Sequence, residues 1–230
     1  VTHAAGFMSL LGSDTKSAGG SQGPGQPAQR ISVHDNVIED INNKEWGGGD
    51  HSNGKIILIV MGSGLPKIDQ VSFTHNTFSG NPSACNSFIT IATHSTNVKM
   101  TNFVVRDNIF PACEYSISGD YGSDRNALAN AAPASSTFTN NVFVGWESTG
   151  INISLFIPHN SRVGNYAAIK FQNYNAGVGG NYRLSAQSPF RNKASDGKDI
   201  GADIDMVENH TSGVSAGQQV GSEGDRIRSV

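Results

Sequence analysis

Apolar positions along the chain recur in one short pattern, four times over. Ile31-Ser32-Val33-His34-Asp35-Asn36-Val37-Ile38 aligns with Val71-Ser72-Phe73-Thr74-His75-Asn76-Thr77-Phe78. Both align with Phe103-Val104-Val105-Arg106-Asp107-Asn108-Ile109-Phe110 and with Ser136-Thr137-Phe138-Thr139-Asn140-Asn141-Val142-Phe143. The shared template is apolar-x-apolar-x-x-Asn-x-apolar, with its first position weakened to Ser136 in the last copy. Alternation with a period of two is a strand signal. The Asn then breaks it, as expected of a residue that takes a tight or left-handed turn and bonds nearby backbone. Successive Asn residues lie 40, 32 and 33 positions apart. A second short strand is expected between copies, with candidates at 7–11, 56–61, 88–92, 115–118 and 151–157. One repeat is therefore two or three short strands without a long helix.

Repeats of this length are the mark of stacked architectures. A propeller blade is longer and carries signatures missing here, and leucine-rich repeats need another spacing. The pattern fits an all-β, right-handed parallel β-helix (a solenoid) of five to six coils, with loops of variable length projecting from its corners. Coils would stack at the inter-strand spacing of about 4.8 Å. An antiparallel sandwich is the alternative, weakened by the absence of regular hairpin signals, since Asn53-Gly54 is the one Asn-Gly dipeptide. In the solenoid, Val33, Phe73, Val105 and Phe138 form one interior column, and Ile38, Phe78, Phe110 and Phe143 another. Asn36, Asn76, Asn108 and Asn141 form an amide ladder, each bonded to the Asn above and below. The expected domain spans residues 1–206, and the polar, Gly/Ser-rich stretch 207–230 reads as a disordered tail. Residues 12–29 read as a long projecting loop. Residues 127–132, with Asp124 as a cap and Pro133 as a stop, read as a short helix.

Composition narrows the function classes. Charged residues make up 15% of the chain and the net charge is −3, which argues against the basic stripe of a nucleic-acid binder. The longest apolar run, 56–61, is far short of the roughly 20 residues of a membrane helix. Low Lys, abundant Gly, Asn, Ser and Thr, and the β pattern lean toward a secreted or cell-surface location. The opening Val1-Thr2-His3-Ala4 reads as the start of a mature piece or a fragment, acting as a monomer or as part of a longer chain. Cys85 and Cys113 lack zinc spacing. They are left open between a disulfide and two thiols.

The four Asn-centred copies, the stretch Trp46-Gly-Gly-Gly-Asp50 and the ending Asn181-Tyr-Arg-Leu-Ser185, Ser188-Pro189 and Asp196-Gly-Lys-Asp-Ile-Gly-Ala-Asp203 resemble the C-terminal part of secreted bacterial right-handed parallel β-helix proteins of the pectate-lyase-like superfold. The resemblance covers most of residues 1–206 and implies export and contact with polysaccharide. It also implies that the ending forms the closing coil and its cap. The fold hosts lyases, hydrolases, esterases, tailspikes and adhesins, so it implies no single activity, and no lyase catalytic signature is found.

Three groups are candidates for chemistry. A lyase needs a neutralised carboxylate and a base, and a hydrolase needs paired carboxylates. Asp50, His51 and Lys55 lie in a Gly-rich stretch that also reads as an ordinary polar loop. His34, Asp35, His75, Arg106 and Asp107 stand just before the ladder and also read as a solvated strand edge with weak ion pairs. Asp120, Asp124 and Arg125, with His94 one coil earlier, suit Ca²⁺ or a sugar acid, but read equally as surface loop residues. Trp46, Tyr115, Tyr121 and Arg106 are candidates for holding sugar. The string Asp196, Asp199, Asp203 and Asp205 lacks calcium-loop spacing and reads as part of the cap. Two functions follow: a module that binds or processes polysaccharide on an elongated face of stacked strands, or a non-catalytic structural or adhesive module.

Overall fold

The computed structural model describes residues 2–11, 28–47, 54–61, 68–93, 97–132, 136–145 and 157–215. Strand-forming stretches follow one another with short corners between them. The first are β1 (Thr2–Ala4), β2 (Met8–Leu11) and β3 (Gln29–His34); then β4 (Val37–Ile41), the single turn α1 (Asn43–Trp46), β5 (Lys55–Val60) and β6 (Asp69–Thr74). Next come β7 (Thr77–Gly80), β8 (Ser87–Ala92) and β9 (Val104–Arg106); then β10 (Ile109–Pro111), β11 (Tyr115–Gly119), β12 (Gly122–Ser123), α2 (Asp124–Ala131) and β13 (Thr137–Thr139). The chain continues with β14 (Val142–Val144), β15 (Ser161–Val163), β16 (Phe171–Asn173), β17 (Asn181–Leu184) and α3 (Ile204–Ser215).

These strands divide among separate sheets. Six parallel strands run in the order β1-β4-β7-β10-β14-β15, and four in the order β13-β9-β6-β3. A five-stranded sheet has the order β12-β11-β8-β5-β2, with β12 antiparallel to its neighbour. Strands β16 and β17 pair antiparallel on their own. The chain is mostly β with few helices, but the expected single solenoid of five to six coils over residues 1–206 is corrected. Its strands lie in mainly parallel sheets of six, five and four, and among the described residues no sheet is closed or solenoid-like. The periodic pattern stops at β15. Residues 164–204 alternate differently, form short 3-10 turns at Tyr166–Ile169 and Asn175–Gly177, and build a separate apolar cluster.

The register sets the core. Val33 pairs with Phe73, Phe73 with Val105, and Val105 with Phe138. Ile38 pairs with Phe78, and Phe110 with Phe143. Phe88 joins them from the five-stranded sheet, stacked on Phe110 with ring centroids 3.8 Å apart. Ile57, Ile59, Ile89, Ile91 and Ile117 complete this first core. The second core lies on the other face of the six-stranded sheet. There Ile109, Val142 and Val144 meet Tyr166, Ile169, Phe171, Tyr182, Leu184, Phe190, Ile200 and Ile204. That sheet is therefore buried on both faces, which accounts for the short apolar runs of β10 and β14.

The turn between the four- and six-stranded sheets holds the amide ladder. Asn36 Nδ2 donates to Asn76 Oδ1 (2.9 Å), Asn76 to Asn108 (3.0 Å) and Asn108 to Asn141 (2.8 Å). A fifth rung, Asn160, accepts from Asn141 at 2.9 Å. The left-handed residue is the one before each Asn. Asp35, His75, Asp107, Asn140 and His159 have φ between 52° and 62°. Asp, Asn and His tolerate that region best among residues with a Cβ. Each of the first four rungs then bonds the next through its amide, and the Asn160 amide donates to Phe138 O, Ile157 O and Pro158 O.

Cys85 and Cys113 form a disulfide. The bond ties the corner before β8 to the corner before β11, and closing a loop of this length is worth about 3–4 kcal/mol in the chain-entropy account. Helix α2 begins at Asp124, close to the expected 127–132. Of the expected disordered tail, residues 207–215 are helical within α3. Residues 216–230, most of the loop 12–29 and residues 151–156 of the strand expected at 151–157 lie outside the described residues.

Candidate functional site

The left-handed residues before the ladder project outward as a column, and a terminal strap, residues 193–203, lies along it. Lys193 O accepts from Asn140 Nδ2. Ser195 donates to Asp107 through its backbone N–H (2.9 Å) and its Oγ (2.5 Å). Gly201 donates its N–H to Asp107 O, and Ala202 N–H donates to Thr77 Oγ1 (3.0 Å). Asp203 N–H donates to Asp35 Oδ1 (3.0 Å). The strap thus runs back over successive strands, from the fourth ladder rung to the first. Gly201 must be glycine: its φ is +99°, and a Cβ there would sit 2.7 Å from Thr77 Oγ1. The ending expected to close the last coil instead covers the side of the ladder corner.

This placement changes the candidate column His34, Asp35, His75, Arg106 and Asp107. Asp107 is fully buried and His75 is 14% exposed, whereas His34 and Arg106 remain at the surface, so only part of the column is a solvated edge. His75 Nε2 lies 3.3 Å from Asp196 and 3.8 Å from Asp107, and its Nδ1 faces Gly201 O at 3.3 Å. Arg106 Nε lies 3.7 Å from Asp107. His34 pairs with Asp35 at 3.0 Å. Of these five groups, Asp35, His75 and Asp107 meet the strap directly, while His34 pairs with Asp35 and Arg106 with Asp107. A cavity of about 320 Å³ opens beside them, floored by Tyr182, Leu184, Ile200 and Ile204 and rimmed by Lys198 and Asp203.

The strap acids respond to pH. Asp203 is held below the ordinary carboxylate value first by the Met206 N–H and then by Lys198 and His75, against the pull of burial. For Asp196 burial is the largest influence and pushes upward. The Lys198 N–H and the charges of His75 and Lys198 outweigh it, and the net shift is downward. A folded-state value below the unfolded one gives stability that is present above the unfolded pKa and lost as pH falls through the folded one. Below about pH 4, nuclear magnetic resonance signals of the Ser195, Gly201 and Asp203 amides should therefore lose their native shifts before those of Asn76 and Asn108 do. Simultaneous loss would contradict an acid-sensitive strap.

The other candidates do not converge on a catalytic centre. Asp124 is buried, opens α2 and accepts from Ser116 N–H at 2.8 Å, so it ties α2 to β11. Burial raises its pKa. Its φ is +49°, another left-handed acid at a corner. Asp120 and Arg125 are exposed on either side of it. Of the expected Asp120, Asp124 and Arg125 group, Asp124 points into the protein, while Asp120 and Arg125 stay at the surface. Lys55 is half-buried in β5, in register with Ser87 and through it with Tyr115. Tyr115 is half-buried, and its phenol is raised first by Glu114. Tyr121 and Trp46 are exposed. Asp50, His51 and His94 lie outside the described residues. Among the described residues no group of three His, Cys, Asp or Glu could hold a metal ion, and no helix is long and apolar enough to cross a membrane.

The outer side of the four-stranded sheet carries polar residues in register. Its register aligns Ser32, Ser72, Val104 and Thr137 in one row, and His34, Thr74, Arg106 and Thr139 in the next. Ser72 Oγ donates to Ser32 Oγ at 3.1 Å. The inward residues between these rows, Val33, Phe73, Val105 and Phe138, are buried. Both rows carry hydroxyls and no carboxylate, and the second adds His34 and Arg106.

Sequence reasoning missed Asn160, because it follows Asn141 by 19 residues and because Arg162 replaces the expected apolar residue two places on. The preceding Leu155-Phe156-Ile157 would have been its signal. It also missed Ser195 and Gly201, whose roles depend on distant partners. No family model, curated protein or solved structure matches this chain.

Proposed function

We propose that this chain is a non-catalytic, extracytoplasmic module that holds a polysaccharide on the outer face of its four-stranded sheet. The observation that carries the reading is the pair of rows Ser32, Ser72, Val104, Thr137 and His34, Thr74, Arg106, Thr139. Hydroxyls both donate and accept, so such rows match a hydroxyl-rich polymer. Hydrolysis by the paired-carboxylate route needs two positioned acids, and these rows contain none. The acids that sequence reasoning nominated near this corner are engaged with the strap instead. The Cys85–Cys113 disulfide supports an oxidising compartment.

The test is a screen of purified protein on pectin, alginate, glycosaminoglycan and neutral plant polymers, with and without Ca²⁺. Release of reducing ends and absorbance near 235 nm are followed beside affinity electrophoresis. Retarded migration without product is the expected result, and Ser72→Glu should abolish the retardation. New reducing ends or unsaturated product would overturn the non-catalytic reading. Unchanged migration in every gel would overturn the binding reading.

A further inference from the structure

We propose that Trp46, Asp40 and His3 form a binding subsite for a neutral pyranose. Pairing of Thr2 with Glu39 and of Ala4 with Ile41 sets His3 beside Asp40 on the edge of the six-stranded sheet. Trp46 closes α1 over them, and the residue is 41% exposed. An exposed indole is normally free to change rotamer. This one is fixed, because its Nε1–H donates to Asp40 Oδ2 at 3.0 Å. The same oxygen lies 2.6 Å from His3 Nδ1, and the imidazole stands edge-on to the indole at 5.0 Å between centroids. One carboxylate oxygen therefore pins both rings.

The arrangement leaves polar atoms to spare. Among the described residues, Asp40 Oδ1 and His3 Nε2 take no hydrogen bond. The Asp40 side chain is 24% exposed and that of His3 52%. A fixed aromatic face beside a carboxylate oxygen and an imidazole nitrogen is the chemistry that receives a sugar ring. The ring's C–H face lies on the indole and its hydroxyls meet the two polar atoms. Preorganised rings spare the ordering cost of binding. Local charge selects among sugars. Asp40, Glu39 and Glu45 lie on β4 and α1 against Lys44 alone, so an anionic uronate is disfavoured.

The proposal rests on the reading of the chain as a polysaccharide binder, but places this subsite away from the four-stranded sheet. The experiment is isothermal titration of the full chain with hexasaccharides of β-1,4-glucose, β-1,4-mannose and α-1,4-glucose, and with oligogalacturonate. At least one neutral hexasaccharide should bind more tightly than oligogalacturonate. Trp46→Ala should weaken it about 30-fold, as loss of an aromatic anchor does. Asp40→Asn, which keeps the shape and removes the charge, should weaken it about tenfold. Circular dichroism confirms that each variant folds, and Trp46→Phe provides a second aromatic that should retain part of the affinity. Full binding in Trp46→Ala, or preference for oligogalacturonate, overturns the subsite. Loss in Ser72→Glu with full binding in Trp46→Ala overturns it while keeping the four-stranded face. Absence of heat with every oligosaccharide overturns the subsite, and the polymer gels then decide the four-stranded face.

Discussion

Asn108→Leu is expected to lower unfolding free energy by about 3–5 kcal/mol, and the melting temperature by roughly 10 °C. Asn108 is fully buried. Its Oδ1 accepts from Asn76 through both the backbone N–H (2.9 Å) and the side-chain Nδ2 (3.0 Å). Its own Nδ2 serves Phe73 O, Arg106 O and Asn141 Oδ1. Leucine has similar volume but offers none of these. The Asn76 N–H is then left buried with no acceptor, and an unpaired buried group costs about 1–3 kcal/mol. Asn36→Leu is the internal comparison. Asn36 is the first rung and half-buried, and among the described residues its Oδ1 accepts nothing. Its loss should cost about 1 kcal/mol. Chemical denaturation of both variants decides the matter, and equal effects would refute a ladder that stabilises through buried amides.

Asp107→Ala should open the strap before it unfolds the core. The carboxylate is buried and holds Ser195 by two hydrogen bonds, with Arg106 and His75 within 3.8 Å. Removing it strands the Ser195 donors and places alanine, which lacks the polar side chain that lets Asp tolerate the left-handed region, at φ = +60°. A total near 3 kcal/mol is expected. Trypsin should then cut after Lys193 and Lys198 about 100-fold faster, since local opening governs access. Asp107→Asn keeps the left-handed tolerance and an acceptor for the Ser195 N–H, so its rate should lie between the two. Equal cleavage of the wild type and Asp107→Ala would show that the strap is held elsewhere, by Asp35, Thr77 or the second core.

What the chain's own pattern determined is local. A period of two places Val33, Phe73, Val105 and Phe138 on one face, and the Asn that ends each run was legible as a ladder residue. Those statements need only neighbours a few positions apart, and polar satisfaction restricts what a buried Asn can do. The left-handed residue could also have been read one place earlier, since Asp35, His75, Asp107, Asn140 and His159 are all types that tolerate it.

Tertiary structure alone decided the rest. The pairing of strands into sheets of six, five and four, instead of one solenoid, depends on where the repeat ends and on what covers the six-stranded sheet. The strap joins Asp35 to Asp203, Thr77 to Ala202 and Asp107 to Ser195. Polar, aperiodic residues of this kind look the same in sequence whether solvent or a distant carboxylate takes their hydrogen bonds. The Trp46–Asp40–His3 cluster is equally silent in sequence, because His3 reaches Asp40 only through the pairing of β1 with β4. Side-chain periodicity is written in adjacent positions, whereas the partner of a lone polar group is chosen by the folded backbone that delivers it.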